Sequence, residues 1–418
     1  MLAELNARIC SDEFTQLARH PDHPQAFTRN RRLPLPALIG ALLTMRNQSQ
    51  QLTVDTFFGA VQGGAVPLRG VSDRAFAKAR SHLHLPALES LNDLVVRRAD
   101  EAGLIERWHG LRVVAADASV LMPAVRPCLQ SRSAADPDQR LFALYLPGAE
   151  LTLHASVHSA TVAERRMLMQ ALDLLGPQDV LVLDRGYPAA WLVAVLNARG
   201  IRYVMRCDNE GGWSGVKNFA SSGLDQAQIE LTAPSADDDS QWGCGRHKPS
   251  VRLVRQRAPN GQFRVLATNL DAQVYPPAMF GDLYHQRWRI EEAFKRIKHR
   301  LKLEAVSGLS QHALIIDVAA KVLADNLSSL MCAAATEQAT SPPSSTPRQH
   351  ARKINRSYAA AYLRNVLPRL MLRVGDICSL IAQAIKMLAT NTLTFIPNRS
   401  QPRPNNHVKP HPSLAYKG

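Results

Sequence analysis

The feature that most constrains this chain is a run of short apolar segments between Leu111 and Arg206 whose strand-like and helix-like patterns alternate in a fixed order. LRVVAADAS, RLFALYL and, after Pro147-Gly148, LTLHASV read as three consecutive strands. A helical stretch, VAERRMLMQALDLL, comes next; after Gly176-Pro177 follow the strand DVLVLD, a helix through WLVAVLNARG and the strand IRYVMR. The order is β-β-β-α-β-α-β. A meander that continues into α/β crossovers implies an α/β fold with a mixed sheet and helices packed on it.

The flanks differ in character. Residues 1–105 read as helices: Leu33-Pro34-Leu35-Pro36 leads into an apolar run through Leu43, Gly63-Gly64 with Pro67 marks a break, and Ser72 offers an N-cap for DRAFAKARSHL. That short helix carries Arg74, Lys78 and Arg80, either a DNA-contacting surface or a solvated basic face. After the α/β segment (106–206), residues 207–275 turn polar and then give QAQIELT, SVRLVRQR and FRVLATNL. The last two are joined through Pro259-Asn260-Gly261, which suits a type I′ hairpin turn. This is expected to be a β-rich insertion. Helices resume over 276–335, a Ser/Pro-rich loop (341–347) and further helix occupy 336–396, and a basic, Pro-rich tail fills 397–418.

With 50 Lys and Arg against 35 Asp and Glu, the 418-residue chain carries a formal charge of +15, yet it is 46% hydrophobic and only 20% charged. Such a composition is globular, and such a charge favours a polyanionic partner, since Lys and Arg neutralise phosphates and release condensed counterions. The start, MLAELNARICSDEF, has neither a basic n-region nor an apolar h-region, and no apolar stretch approaches the ~18 residues of a membrane span, so neither secretion nor a membrane partner is expected. Cys10, Cys128, Cys207, Cys244, Cys332 and Cys378 are scattered without a C-x2-C pair, and read as buried thiols of a reducing cytoplasm rather than a zinc site.

Two carboxylates stand out. Asp117 ends the apolar run VVAA, and Asp184 ends VLVL and precedes Arg185-Gly186-Tyr187, whose glycine lets a backbone or phosphate come close. Either alone could be a turn former. A third element is the helix LYHQRWRIEEAFKRIKHRLKLE, on which Tyr284, Arg287, Glu291 and Lys298 fall within an arc of about 60° at helical spacing. An exposed, salt-bridged helix would also explain its charges. Trp288, Ile290, Phe294, Ile297 and Leu301 lie outside the stripe and are expected to dock the helix on the domain. Together Asp117, Asp184 and Glu291 could hold two Mg²⁺ ions, which take hard oxygen ligands and keep positions open for water and phosphate; Mn²⁺ could substitute. Arg287 could grip a phosphate bidentately, with Lys298 and Tyr284 beside it.

These residues resemble a known family. Tyr284-x2-Arg287-x3-Glu291-x6-Lys298 is similar to the Y-R-E-K signature of bacterial DDE transposases of the insertion-sequence-four type; the DAS at Asp117 and the DRGY at Asp184 resemble the two aspartate blocks, and LATNL precedes the signature as it does there. The resemblance spans roughly residues 30–330. It implies a ribonuclease-H-like catalytic domain interrupted by a β insertion, with helices on both faces of the sheet. It further implies Mg²⁺-dependent hydrolysis and transesterification of DNA at terminal inverted repeats, a homodimer in the synaptic complex, and a cytoplasmic, nucleoid-associated setting. On this resemblance Asp117, Asp184 and Glu291 would be metal ligands, Tyr284, Arg287 and Lys298 would contact phosphates of the transferred strand, and the helices bearing Arg74, Lys78 and Arg80 would bind transposon ends. A nuclease without strand transfer, and an inactive DNA-binding regulator, remain open alternatives. Trp213 and Trp242 could hold a flipped base, though each also reads as a structural tryptophan.

Overall fold

A computed structural model of the chain describes residues 1–29, 32–44, 49–64, 66–121, 138–208, 212–257, 261–295, 298, 303, 310–340 and 351–395. The chain divides into two compact units, the first comprising Met1–Gly103, Val120–Gln139 and Lys295–Gly418, the second Leu104–Ser119 and Arg140–Phe294.

The first unit begins with α1 (Leu2–Ile9), α2 (Asp12–Leu17), α3 (Leu35–Leu43), α4 (Gln50–Val61), α5 (Asp73–Ser81) and α6 (Leu85–Glu101). The Ser72 hydroxyl accepts the Ala75 N–H at 3.2 Å and so fixes the start of α5, as the sequence anticipates. On α5, Arg74 and Lys78 are exposed. Arg80 is not: it is 4% exposed and its guanidinium pairs with Asp317, itself 0% exposed, at 3.3 Å. The expectation that Arg80 contacts DNA is therefore corrected, because a buried guanidinium committed to a buried carboxylate is a structural pair.

The second unit is built on a sheet of β1 (Arg107–Trp108), β2 (Leu111–Leu121), β3 (Gln139–Leu146) and β4 (Leu151–Ser159), followed by α7 (Glu164–Ala171), β5 (Asp179–Leu183), α8 (Ala190–Ala198) and β6 (Arg202–Cys207). There follow α9 (Ser214–Ser222), β7 (Gln226–Glu230), α10 (Ala236–Trp242), β8 (Ser250–Arg257), β9 (Phe263–Thr268), α11 (Phe280–Gln286) and α12 (Trp288–Lys295). The chain then returns to the first unit through α13 (Gln311–Thr340), β10 (Arg352–Ile354), α14 (Arg356–Met371), α15 (Ile377–Thr390) and β11 (Thr392–Thr394). Buried Leu314, Ile316, Leu323 and Leu327 make α13 the centre of that helical unit.

The sheet runs β4-β3-β2-β5-β6-β9-β8-β7, with β1 paired to β2. β5 is parallel to both β2 and β6, while β9, β8 and β7 continue from β6 in antiparallel pairs. This is the mixed α/β sheet flanked by helices that the element order implies. The strands of 207–275 extend this same sheet, and two helices, α9 and α10, accompany them. The Pro259-Asn260 turn lies outside the described residues, as do residues 341–347 and the basic tail. Trp242 on α10 stacks on Trp191 of α8, ring centroids 4.9 Å apart and planes 10° apart, so it packs one helix on another.

Two further expectations are adjusted. Cys207 and Cys332 are buried, but Cys10 and Cys378 are exposed. Trp288 is 45% exposed, so α12 docks through Ile290 and Phe294 without it. No helix among the described residues is long and apolar enough to cross a membrane.

Packing also sets an acid limit. His154 on β4 is buried enough that its imidazole is held down to about 4 from 6.5, with His158 as a lesser cause. The unfolded chain takes the proton first, so stability present above pH 6.5 is lost as pH falls towards about 4, by roughly 3 kcal/mol from this residue. Urea titrations at pH 7.5 and 4.5 check this: the difference in midpoint should shrink in His154→Gln.

Candidate active site

Register brings the two aspartates together. The buried pair Arg112–Asp179, bidentate at 2.6 and 2.9 Å, joins β2 to β5, and Arg112 lies opposite Asp179, Val113 opposite Val180 and Ala115 opposite Val182. Two residues further along both strands the same register sets Asp117 beside Asp184, and since side chains alternate, both fall on the face that carries Val113, Val180 and Val182. On that face α11 packs its Phe280, Leu283 and Tyr284 into the apolar cluster of Trp108, Val113, Val180, Val182, Val204 and Leu266. The signature segment is thereby anchored on the sheet face that carries both aspartates.

It is not one continuous helix. The helix breaks at Arg287, where the N–H bonds to Tyr284 O and the Ile290 N–H to Arg287 O, both three residues apart in sequence. Tyr284, Arg287 and Glu291 nonetheless stay together. One Arg287 nitrogen lies 3.6 Å from Asp117 Oδ2, another 3.2 Å from Glu291 Oε1, and the guanidinium carbon sits 5.9 Å from the Tyr284 ring centroid. Lys298 is counted in the other unit, where it is buried and its ammonium donates to the carbonyl of Val120 on β2.

Electrostatics follow from this burial. The Asp117 carboxyl is pushed up to about 7, first by burial and then by Asp184 and Glu164, against the pull of Arg287 and the Ala118 N–H. Burial raises the Tyr284 phenol as well, although Arg287 and Arg206 oppose it. Asp184 accepts the Gly186 N–H at 2.8 Å, which folds the DRGY loop back on its own carboxylate.

Neighbours that no motif marked complete the site. Glu164 at the start of α7 lies near Asp184, and Arg206 on β6 and Arg264 on β9 bring positive charge to Tyr284, the Arg264 guanidinium carbon 5.7 Å from its ring centroid. The period-2 rule could have found the two arginines: counting by twos from Val204 and Leu266 puts both on the site's face. For Glu164 the only signal was an acidic residue opening the first helix after the meander.

Whether these residues suit a divalent cation can be judged from their chemistry. Among the described residues no three His, Cys, Asp or Glu side chains are grouped so as to hold a metal ion, and Asp117 and Glu291 instead share one guanidinium. The donors are nonetheless all hard carboxylate oxygens, and the Tyr187 hydroxyl beside them is buried without a hydrogen-bond partner among the described residues. The buried Arg287 Nε is likewise without one, a donor left for an anion. In kind, the residues fit a cation and a phosphate.

Residues 108–327, more than half of the chain, match the transposase DDE domain family. The chain belongs to that family, and it is a transposase enzyme. Among solved structures, a cryo-EM structure of a piggyBac transposase synaptic complex with hairpin DNA is similar at 11% identity and a TM-score of 0.40, over 96% of this chain and 87% of that one. Comparison with curated proteins gives no match.

Proposed function

We propose that the chain is a bacterial cut-and-paste transposase of the insertion-sequence-four type, which cleaves double-stranded DNA at transposon inverted repeats and transfers the ends to target DNA. The observation that supports this most is the register-matched pair Asp117 and Asp184 lying on the sheet face to which α11 and α12 deliver Arg287 and Glu291. Asp117, Asp184 and Glu291 would hold Mg²⁺, with Mn²⁺ able to substitute. Such ions, when bound, activate the attacking water or 3′-hydroxyl and stabilise the leaving oxygen.

The protein's own groups do the positioning. Arg287, with its Nε unsatisfied, and the flanking Arg206 and Arg264 present guanidinium donors to phosphate oxygens, and Tyr284 orients Arg287 through its ring. Lys298, whose ammonium donates to the Val120 carbonyl, would turn a further N–H to a phosphate oxygen. Exposed Arg74 and Lys78 on α5 contribute to end binding, and two copies pair two ends in a synaptic homodimer.

The test uses inverted-repeat DNA from the flanks of the reading frame. Asp184→Asn and Glu291→Gln should each lower cleavage in Mg²⁺ by at least about 10³-fold while band-shift affinity stays within a few-fold, since the carboxylates act on the ion more than on the DNA grip. Cleavage by either variant at the wild-type rate would remove that residue from the site.

A further inference from the structure

Glu164 opens α7 and turns one carboxylate oxygen, Oε1, towards Arg140 on β3 at 3.4 Å. The other faces the Asp184 loop. A Cβ placed on Gly186 would stand 3.6 Å from Glu164 Oε2 and 3.1 Å from Asp184 Oδ1, so both oxygens border the same small space beside Gly186. The approach is held in place by the next residue: Arg165 donates to the Gly186 carbonyl at 3.0 Å and to the Pro188 carbonyl at 3.2 Å, tying the start of α7 to the loop that carries Asp184. Among the described residues Asp184 has no ion pair of its own.

The unpartnered hydroxyl of Tyr187 points the same way. Tyr187 is 0% exposed, its hydroxyl has no hydrogen-bond partner among the described residues, and the charges that act on it are Glu164, Asp117 and Asp184, opposed by Arg287. A buried hydroxyl bonded to none of its neighbours, within the field of three carboxylates, suits a ligand that carries positive charge and hydrogen-bonding atoms, as a hydrated divalent cation does. Like charges held this close also repel, and a shared cation removes that cost.

We infer that Glu164 is a fourth carboxylate of the cation site, supplying an oxygen to a divalent ion that Asp117, within β2, and Asp184, just past β5, hold. This rests on the metal-dependent reading above and adds to it a residue outside the DDE triad.

Mn²⁺ binding to the full-length, DNA-free protein, read by electron paramagnetic resonance of the free ion and by Mg²⁺ competition, tests this without any catalytic readout. Glu164→Gln should weaken Mn²⁺ about tenfold, and Asp184→Asn should abolish binding. Wild-type affinity in Glu164→Gln with loss in Asp184→Asn overturns the role of Glu164 and leaves the metal-dependent reading standing. Wild-type affinity in both variants, or no binding by the unaltered protein, overturns that reading and the inference with it. If Glu164→Gln does not fold by circular dichroism, Glu164→Asp carries the test: it keeps the charge for Arg140 but retracts the oxygen, and undiminished Mn²⁺ affinity there also overturns the proposal.

Discussion

Asp117→Asn is expected to abolish cleavage of end DNA and, in the same molecule, to make the metal-free protein more stable at alkaline pH. The loss follows from removing a carboxylate from the cation site. The gain follows from burial. The folded-state carboxyl is raised to about 7 from 3.8, so the unfolded chain gives up its proton first, and stability present below pH 4 is lost as pH rises towards about 7. An uncharged amide of the same shape avoids that loss, up to a ceiling of about 4 kcal/mol at pH 8 and nothing at pH 4. Urea melts in EDTA at pH 8 and pH 4.5, beside a cleavage assay in Mg²⁺, measure both halves. Equal stability of variant and wild type at pH 8 would show that Asp117 is not held in a desolvated position.

Asp179→Ala is expected to cost about 3–5 kcal/mol, the largest single loss of stability in the second unit, because it leaves the Arg112 guanidinium buried without its bidentate partner. Asp179 also accepts the Gly176 N–H at 2.8 Å, so the turn entering β5 loosens as well. Arg112→Met combined with Asp179→Leu should recover most of the loss, since two apolar side chains between β2 and β5 leave no charge unpaired. Denaturant midpoints of the single and double variants decide this. A single variant within about 1 kcal/mol of wild type would mean that the pair does not fasten these strands.

Much of the site was legible because carboxylates that end apolar runs stand out. Asp117 and Asp184 could be found from the chain alone, and Tyr284, Arg287 and Glu291 from their spacing. Which strand pairs with which could not be read, yet the pairing of Ala115 with Val182 is what makes the two aspartates neighbours. Charge spacing also carries no information on partners. Arg80 shares a short helix with Arg74 and Lys78, but Asp317, distant in sequence, takes it into the interior. The same blindness hid Glu164, which reaches Asp184 only through the folding of α7 onto the sheet. Helical periodicity also read one continuous helix through Arg287, where a tightened turn in fact separates α11 from α12 while leaving Glu291 within reach of the guanidinium.

The sheet has one more consequence. β9 hydrogen-bonds along β6 from Val204 to Cys207, and β8 and β7 follow outward, so these three strands shield the one next to β5. Trimming the chain to a minimal catalytic core would strip that cover and bare a row of amides and carbonyls flanked by Tyr203, Val204 and Met205, a template for strand-to-strand aggregation. The added strands are thus a condition of solubility for the domain, whatever else they contribute.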